Sequence, residues 1–353
     1  MERQNNDRNY SRRNRQKSRT RKKIRYGSVC VALCLLIAVA IFGAVDLLKG
    51  SGNPPPSDNK AGNGNKGFFQ EDRSQKETIS PAPAPAGSVD SISADVVAKN
   101  VVVMNADANT LLYQKNSTDK IALASTAKLI TALTVLDYCP TDDEMTVGTE
   151  IEQMHEDSSR AWLNQGDILT TRQLLVALLL PSGNDTAYTL AVNAGKKIAG
   201  DSNLTNAQSI DTFMDKVNEK TRMLGLENSN FLAPDGHDTE GQYTTAYDLV
   251  IIVKACLDDP YISEIVSSYT SYPKWVGGRE VTYNNSNELL NPNSQYYYPE
   301  VIGLKTEAST LAGNCLVSAA VINGETYICV MMGSTADDRF TDSITIYDKI
   351  KAH

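Results

Sequence analysis

Histidine is scarce in this chain: three residues, His155, His237 and His353, among 353. None stands in an HExxH pattern or beside a cysteine pair, which argues against a metal centre built on imidazole. The six cysteines are scattered rather than clustered, and no segment repeats. Net positive charge is also missing from most of the chain. The whole carries -8, residues 1–26 carry +9, and residues 27–353 therefore carry -17. Such an acidic bulk is not a general nucleic-acid binder. Disorder throughout is excluded as well, because 41% of residues are hydrophobic and 22% charged. The length suffices for one large domain or two modest ones with a sizeable core.

What is present begins with a basic head. Residues 1–26 hold eleven Lys and Arg against two acids. Residues 27–45 (GSVCVALCLLIAVAIFGAV) follow without a charge, closed by Asp46 and Lys49. As a helix this run spans about 28 Å, close to the roughly 30 Å hydrocarbon core of a bilayer. Positive flanks stay cytoplasmic, so residues 27–48 are expected to be a transmembrane anchor with tail 1–26 inside and the remainder outside. A cleaved signal peptide is the rival reading, with Ala38-Val39-Ala40 as its small-residue site. The long head and long apolar run favour the anchor. Beside a span, the head reads as a topology signal or anionic-lipid contact rather than a nucleic-acid arm. Cys30 and Cys34 within the span give only a weak palmitoylation signal. Residues 49–95, rich in Gly, Pro, Ser and Asn, read as a disordered linker with a coil dimension of roughly 35–40 Å.

Residues 96–353 form one block. Strands are expected at 101–104 and 111–113, and helices at 125–138, 171–180, 186–198, 210–224 and 245–257. The turn Pro181-Ser182-Gly183-Asn184 breaks the second helix, Gly225 stops the fourth, and Thr244 or Thr245 caps the fifth. The last third changes character, with strands at 301–306, 314–322 and 326–332 and a helix at 343–351. An Asn323-Gly324 hairpin joins the last two strands. Strands at both ends with helices between suggest an α+β fold: a sheet whose strands are far apart in sequence, with a helical insert. The four cysteines of this block, Cys139, Cys256, Cys315 and Cys329, admit a disulfide reading by number. The hairpin tests it. With Ile322 opposite Glu325, Cys329 faces Ser318 and Cys315 faces Met332, so the two thiols lie on opposite faces. Isolated buried thiols are therefore expected.

Three short motifs carry chemistry. Ser125-Thr126-Ala127-Lys128 opens an apolar helix, and positions i and i+3 share one face with Cβ atoms roughly 5–6 Å apart. A Ser hydroxyl needs an adjacent base, and a Lys whose pKa is lowered by burial can serve. The helix N-terminus adds partial positive charge where an oxyanion would form. Alone the motif is weak, since a capped helix with a solvated Lys looks the same. Ser182-Gly183-Asn184 can present a hydroxyl and an amide to one cleft, or be a plain turn. Lys305-Thr306, on a strand before Ala312-Gly313, can hold a carboxylate, or be an exposed strand edge.

Together, in this order and spacing, the motifs resemble SxxK, SxN and KTG of the penicillin-binding protein and serine β-lactamase superfamily. Residues 105–116 (NADANTLLYQKN), 121–138 (IALASTAKLITALTVLDY), 169–191 (with LLVALLLPSGNDTAYTLA), 223–231 (MLGLENSNF) and 303–319 (GLKTEASTLAGNCLVSA) each resemble D-alanyl-D-alanine carboxypeptidases. Gly183 favours that branch, because class A β-lactamases usually carry SDN. The resemblance implies a β-lactamase/transpeptidase-like α+β fold, an antiparallel sheet flanked by helices with a helical subdomain, preceded here by the transmembrane helix. It implies a bacterial cell-membrane protein with its catalytic domain outside, and no metal or other cofactor. Ser125 would attack the penultimate D-Ala carbonyl of a peptidoglycan stem peptide, Lys128 would take its proton, and Ser182 and Asn184 would complete the proton network and hold the peptide. Lys305 and Thr306 would bind the terminal carboxylate, and backbone N–H groups of Ser125 and Ala308 would form the oxyanion hole. Arg339 matches an Arg near the site in that family. β-Lactams would trap Ser125. A catalytic His is not needed, since SxxK supplies nucleophile and base.

One residue departs from the pattern: Glu307 stands where KTG has Gly. Residues 305 and 307 of a strand share a face, so Glu307 is expected to pair with Lys305 and repel a substrate carboxylate, unless a bulge turns it away. At roughly 4 Å and an effective dielectric near 20, such an interaction is on the order of 4 kcal/mol before screening. Reduced or altered activity follows. The readings are thus a serine D,D-carboxypeptidase, a D,D-endopeptidase or β-lactamase, or a catalytically impaired homologue that binds peptidoglycan as a scaffold.

Overall fold

Alternation of side chains builds the centre of the molecule. In the computed structural model, which describes residues 91–352, five strands rich in Val, Ile and Ala pair into one antiparallel sheet. They are β1 (Asn100–Asn105), β2 (Thr110–Lys115), β3 (Val301–Ser309), β4 (Gly313–Ile322) and β5 (Glu325–Ser334), in the order β2-β1-β5-β4-β3. Val102, Met104, Val317, Ala319, Ile328 and Val330 face one core. Their sequence neighbours Val101, Val103, Leu316, Ala320, Cys329 and Met331 face another. The period of two thus makes a sheet buried on both sides. Strand β1 closes onto β5 across more than two hundred residues, with Val103 opposite Cys329.

Helices cover both faces. α1 (Ala127–Tyr138), α2 (Thr171–Leu179), α3 (Asn184–Ala199), α4 (Asn206–Met223), α5 (Ala246–Asp258) and α6 (Pro260–Val266) make the helical part against the first core. α7 (Asp338–Lys351) lays Phe340, Ile346, Tyr347 and Ile350 on the second. Every residue of α1 from Ala127 to Val135 is buried, Lys128, Thr131 and Thr134 included. Two short ribbons, Glu144–Thr146 with Ile168–Thr170 and Thr270–Ser271 with Tyr283–Asn284, edge the helical part. Neither was anticipated from the sequence.

The hairpin is the expected one. Asn323 and Gly324 both take positive φ (54° and 87°), the conformation a two-residue turn between twisted strands requires. Ile322 pairs with Glu325 and Ser318 with Cys329. The register then shifts between Asn314 and Leu316, and Asn314 meets Ser334. A local irregularity therefore removes Cys315 from the expected place opposite Met332. Cys315 and Cys329 still lie in different cores, and all four described cysteines are free and buried.

Several boundaries differ from the sequence reading. α1 starts at Ala127, because Ala124–Thr126 form a 3-10 turn and Ser125 is not its cap. α3 starts two residues early, at Asn184. α4 starts at Asn206, because Thr205 and Gln208 form a capping box. α7 starts at Asp338, and β3 runs past Thr306 to Ser309. Thr245, not Thr244, caps α5 by accepting from the N–H of Asp248. The expected tail 1–26, anchor 27–48 and nearly all of the linker lie outside the described residues. Among the described residues, no helix is long and apolar enough to cross a membrane.

Candidate active site

The first wall of the site is the turn that leads into α1. Ala124 is held at a φ of 46°, unusual for a residue with a Cβ. Gly236, at φ 81°, presses against it so closely that a Cβ there would lie 1.9 Å from the Ala124 carbonyl oxygen. This contact sets Ser125 at the mouth of a cleft. One turn on, Nζ of Lys128 lies 2.7 Å from Ser125 Oγ and donates to the Asp235 carbonyl at 2.9 Å. Lys128 is fully buried. Burial pushes its pKa down, more than the carboxylates of Asp235, Glu307 and Asp185 push it up. An amine with a depressed pKa beside a hydroxyl is an activated nucleophile–base pair.

The second wall is the junction of α2 and α3. Asp185 at the start of α3 is buried and accepts from the N–H groups of Ala161 and Leu163 at 2.9 and 3.0 Å. That fastens the 159–163 segment across the helix end. Ser159 Oγ donates to the Ser182 carbonyl at 2.5 Å, and Asn184 N–H donates to the Ser159 carbonyl at 2.9 Å. Asn184 Nδ2 donates to Asp235 Oδ2 at 2.7 Å. Asp235 therefore ties Lys128 to Asn184, one through its carbonyl and one through its carboxylate. Ser182 takes a φ of 63°, and its buried hydroxyl has no protein partner.

The third wall is β3. Lys305 is 1% exposed and donates to the Thr306 carbonyl at 2.8 Å. Burial lowers its pKa to about 7; Glu307 opposes that fall, and the positive Lys128 and Arg339 add to it. The Thr306 hydroxyl lies 2.5 Å from that of Ser286. Glu307 does not rest on Lys305. Its Oε2 accepts from the N–H of Ser125 at 2.5 Å, and its Oε1 accepts from the N–H of Ala308 at 2.7 Å. Burial alone would raise the Glu307 pKa, but Lys305, Lys128 and the two N–H donors outweigh it and hold the carboxyl below the usual range. The expected Glu307–Lys305 pairing is corrected accordingly: the positive charge acts at a distance, and two N–H groups offer the carboxylate better hydrogen bonds. Arg339 reaches the strand from α7 and donates to the carbonyls of Glu307 at 2.9 Å and Cys315 at 3.4 Å.

Between the walls lies a cleft of about 770 Å³, with Ser125, Ser159, Asn184, Asp235, Glu307 and Ala308 on its surface. Lys128, Ser182, Lys305 and Thr306 are buried and do not line it; Arg339 is only partly buried and does not line it either. Asp235 and Ser159 escaped the sequence reading. Pro234-Asp235-Gly236 reads only as a turn, and no spacing ties it to Ser125. His155 and His237 stack with ring centroids 3.5 Å apart, and His237 lines the cleft. The arrangement offers a hydroxyl, a base, two convergent N–H groups and a buried ammonium, which are the parts needed to transfer an acyl group from a substrate bearing a carboxylate.

Comparison with known proteins gives the same direction. Residues 87–336 match the peptidase S11 family, D-alanyl-D-alanine carboxypeptidase. The chain is 29% identical over 251 residues to D-alanyl-D-alanine carboxypeptidase DacF of Bacillus subtilis, covering 70% of this chain but only 60% of that protein. It is 31% identical over 268 residues to the D-alanyl-D-alanine carboxypeptidase of Streptomyces sp. strain K15, covering 71% of this chain and 88% of the relative. The crystal structure of the Streptomyces K15 DD-transpeptidase superposes with a TM-score of 0.67 at 30% identity, over 74% of this chain and all of that one.

Proposed function

The chain belongs to the D-alanyl-D-alanine carboxypeptidase family, and from that premise we propose that it is a serine D,D-carboxypeptidase acting through an acyl-enzyme on Ser125. The observation that carries the assignment is Lys128 Nζ, buried and 2.7 Å from Ser125 Oγ, at a helix start where two backbone N–H groups converge. Ser125 Oγ attacks the carbonyl carbon of the penultimate D-Ala while its proton passes to Lys128. The N–H groups of Ser125 and Ala308 receive the oxyanion. The tetrahedral species collapses, the peptide C–N bond breaks, and the leaving amine of D-Ala takes a proton relayed from Lys128 through Ser182. Water then attacks the ester and frees Ser125. The sum is one peptide bond hydrolysed and one D-Ala released. Asn184 steadies the peptide, while Lys305 and Thr306 bind its terminal carboxylate. A β-lactam, which carries both a strained amide and a carboxylate, acylates the same hydroxyl.

The basic head and the uncharged run 27–45 support an anchor that keeps this domain outside a bacterial membrane, where stem peptides ending in D-Ala-D-Ala are found. One specific feature favours a second reading, a binding scaffold with impaired chemistry: Glu307 in place of the motif glycine. The two separate in one experiment. The full-length protein is incubated with an acyl-D-Ala-D-Ala peptide and free D-Ala is measured. Release by the wild type and none by Ser125→Ala is expected. No release by either sinks the enzyme assignment.

A further inference from the structure

The place where an oxyanion must form is already filled, and the occupant belongs to the chain. We propose that Glu307 is an internal, displaceable ligand of the oxyanion hole, so that the resting site is closed to acyl donors and acylation requires this carboxylate to swing out. The inference rests on the function proposed above.

Geometry carries it. A transition-state oxygen needs to stand about 2.7–3.1 Å from both donors of the hole. The Glu307 carboxylate accepts from both at once, one oxygen on Ser125 N–H and the other on Ala308 N–H. Two oxygens cannot share that volume. The hydrogen bonds are charge-assisted and therefore the strong kind. The surroundings favour the ionised form: Lys305 on the same strand and Lys128 from α1 both lower the Glu307 pKa, and the Arg339 guanidinium reaches in from α7. Asp235 from the neighbouring loop also lines the cleft, and Cys315 is the strand partner of Glu307 on β4. The backbone cannot move to clear the hole easily, since Arg339 holds the Glu307 carbonyl and β3 remains paired with β4 through Ser309. The side chain can, because Glu307 borders the open cleft. The rest of the machinery is assembled. Lys128 is buried against Ser125, and Asp235 and Asn184 are engaged. The site is thus occluded rather than dismantled, which distinguishes a gate from decay.

The test compares full-length wild type with Glu307→Gly, Glu307→Ala and Glu307→Gln in two readouts. The first is the second-order rate of acylation by a fluorescent penicillin. The second is the affinity for a peptide boronic acid, whose boron binds Ser125 Oγ and places one oxygen in the hole. Removing the carboxylate is expected to raise both by at least about tenfold, given the 100-fold scale of single oxyanion-hole donors. Glu307→Gln, with one acceptor oxygen and no charge, is expected to fall between. The wild-type rate is expected to approach that of Glu307→Gln as pH falls below the carboxylate range, because a protonated Glu307 has the charge and shape of Gln and leaves Lys128 in the same surroundings. Equal rates and affinities within twofold overturn the gate and leave the enzyme assignment standing. No acylation by any of the four overturns the enzyme assignment and the gate with it.

Discussion

Replacing Lys305 with Met is expected to make the protein more stable near neutral pH while abolishing carboxylate recognition. The folded state lowers the Lys305 pKa from 10.5 to about 7, chiefly through burial. Protonating it in the folded protein is therefore harder than in the unfolded chain by about 5 kcal/mol, of which about 4 kcal/mol is felt at pH 7. Met removes that penalty at similar volume. It also leaves the Thr306 carbonyl without its donor, a loss of about 1–3 kcal/mol for a buried acceptor. The net expectation is a gain of about 1–3 kcal/mol at pH 7. The sign can be followed with pH. The folded pKa lies below the unfolded one, so the penalty is full below about pH 7 and fades toward pH 10.5. Over that window the wild type gains stability at about 1.4 kcal/mol per pH unit from this group and the variant does not. Urea denaturation of both proteins at matched pH values measures the difference, and titrating groups remote from Lys305 cancel. A variant that is less stable at pH 7, or a difference that does not change with pH, refutes the reasoning.

Two further outcomes are expected. Gly236→Ala forces a Cβ to within 1.9 Å of the Ala124 carbonyl at a positive φ, so the turn carrying Ser125 must shift; penicillin acylation should fall by about tenfold or more, with about 1–3 kcal/mol of stability lost in denaturation. Burial raises the thiol pKa values of Cys139 and Cys315 to about 11 and of Cys329 to about 12, and raises that of Cys256 as well. These four are expected to resist a thiol-specific label in the native protein and to react completely in urea without reductant, as checked by peptide mass mapping; a pair that reacts only after reduction would show a disulfide.

The parts of this fold that were legible in sequence are those fixed by local chemistry. Asn323-Gly324 demands its hairpin whatever surrounds it, and the strand register follows from it by counting as far as Leu316. An apolar run such as α1 declares itself by composition. The failures have tertiary causes. Ser125 looks like a cap because Ser usually is one, but the neighbouring Gly236 loop draws residues 124–126 into a tighter turn. Cys315 leaves the counted register at an irregularity that no local residue signals. Thr205 and Gln208 differ, since both members of their capping box stand three residues apart in the sequence itself. In the site, SxxK, SxN and KT mark two residues on each wall, yet Asp235, which joins two of those walls, comes from a loop whose only signal is that it turns. For Glu307 the sequence told which face it shares with Lys305; whether its carboxylate would meet an ammonium or two N–H groups depended on how far β3 lies from the start of α1.

The charges under the cleft explain why such a gate need not close the site for good. Lys128 and Lys305 are both buried, and the first depresses the pKa of the second. Positive charge shared between two amines in one low-dielectric pocket requires a compensating anion. In the resting protein Glu307 is the anion the two amines share: its charge raises the pKa of both, with Asp235 and Asp185 acting on Lys128 as well. On the function proposed above, a substrate carboxylate reaching Lys305 would answer the same positive charge, and the hold on Glu307 would weaken by the interaction the newcomer takes over. Departure of one carboxylate and arrival of the other then leave the charge of the pocket unchanged, so displacement becomes an exchange rather than the uncompensated removal of a buried ion. On this argument a substrate that lacks the terminal carboxylate gains nothing from Lys305 and must open the hole unaided. The acidic domain that surrounds the site is then not simply an obstacle to an anionic substrate, because its most intrusive acid stands in the place that substrate must empty.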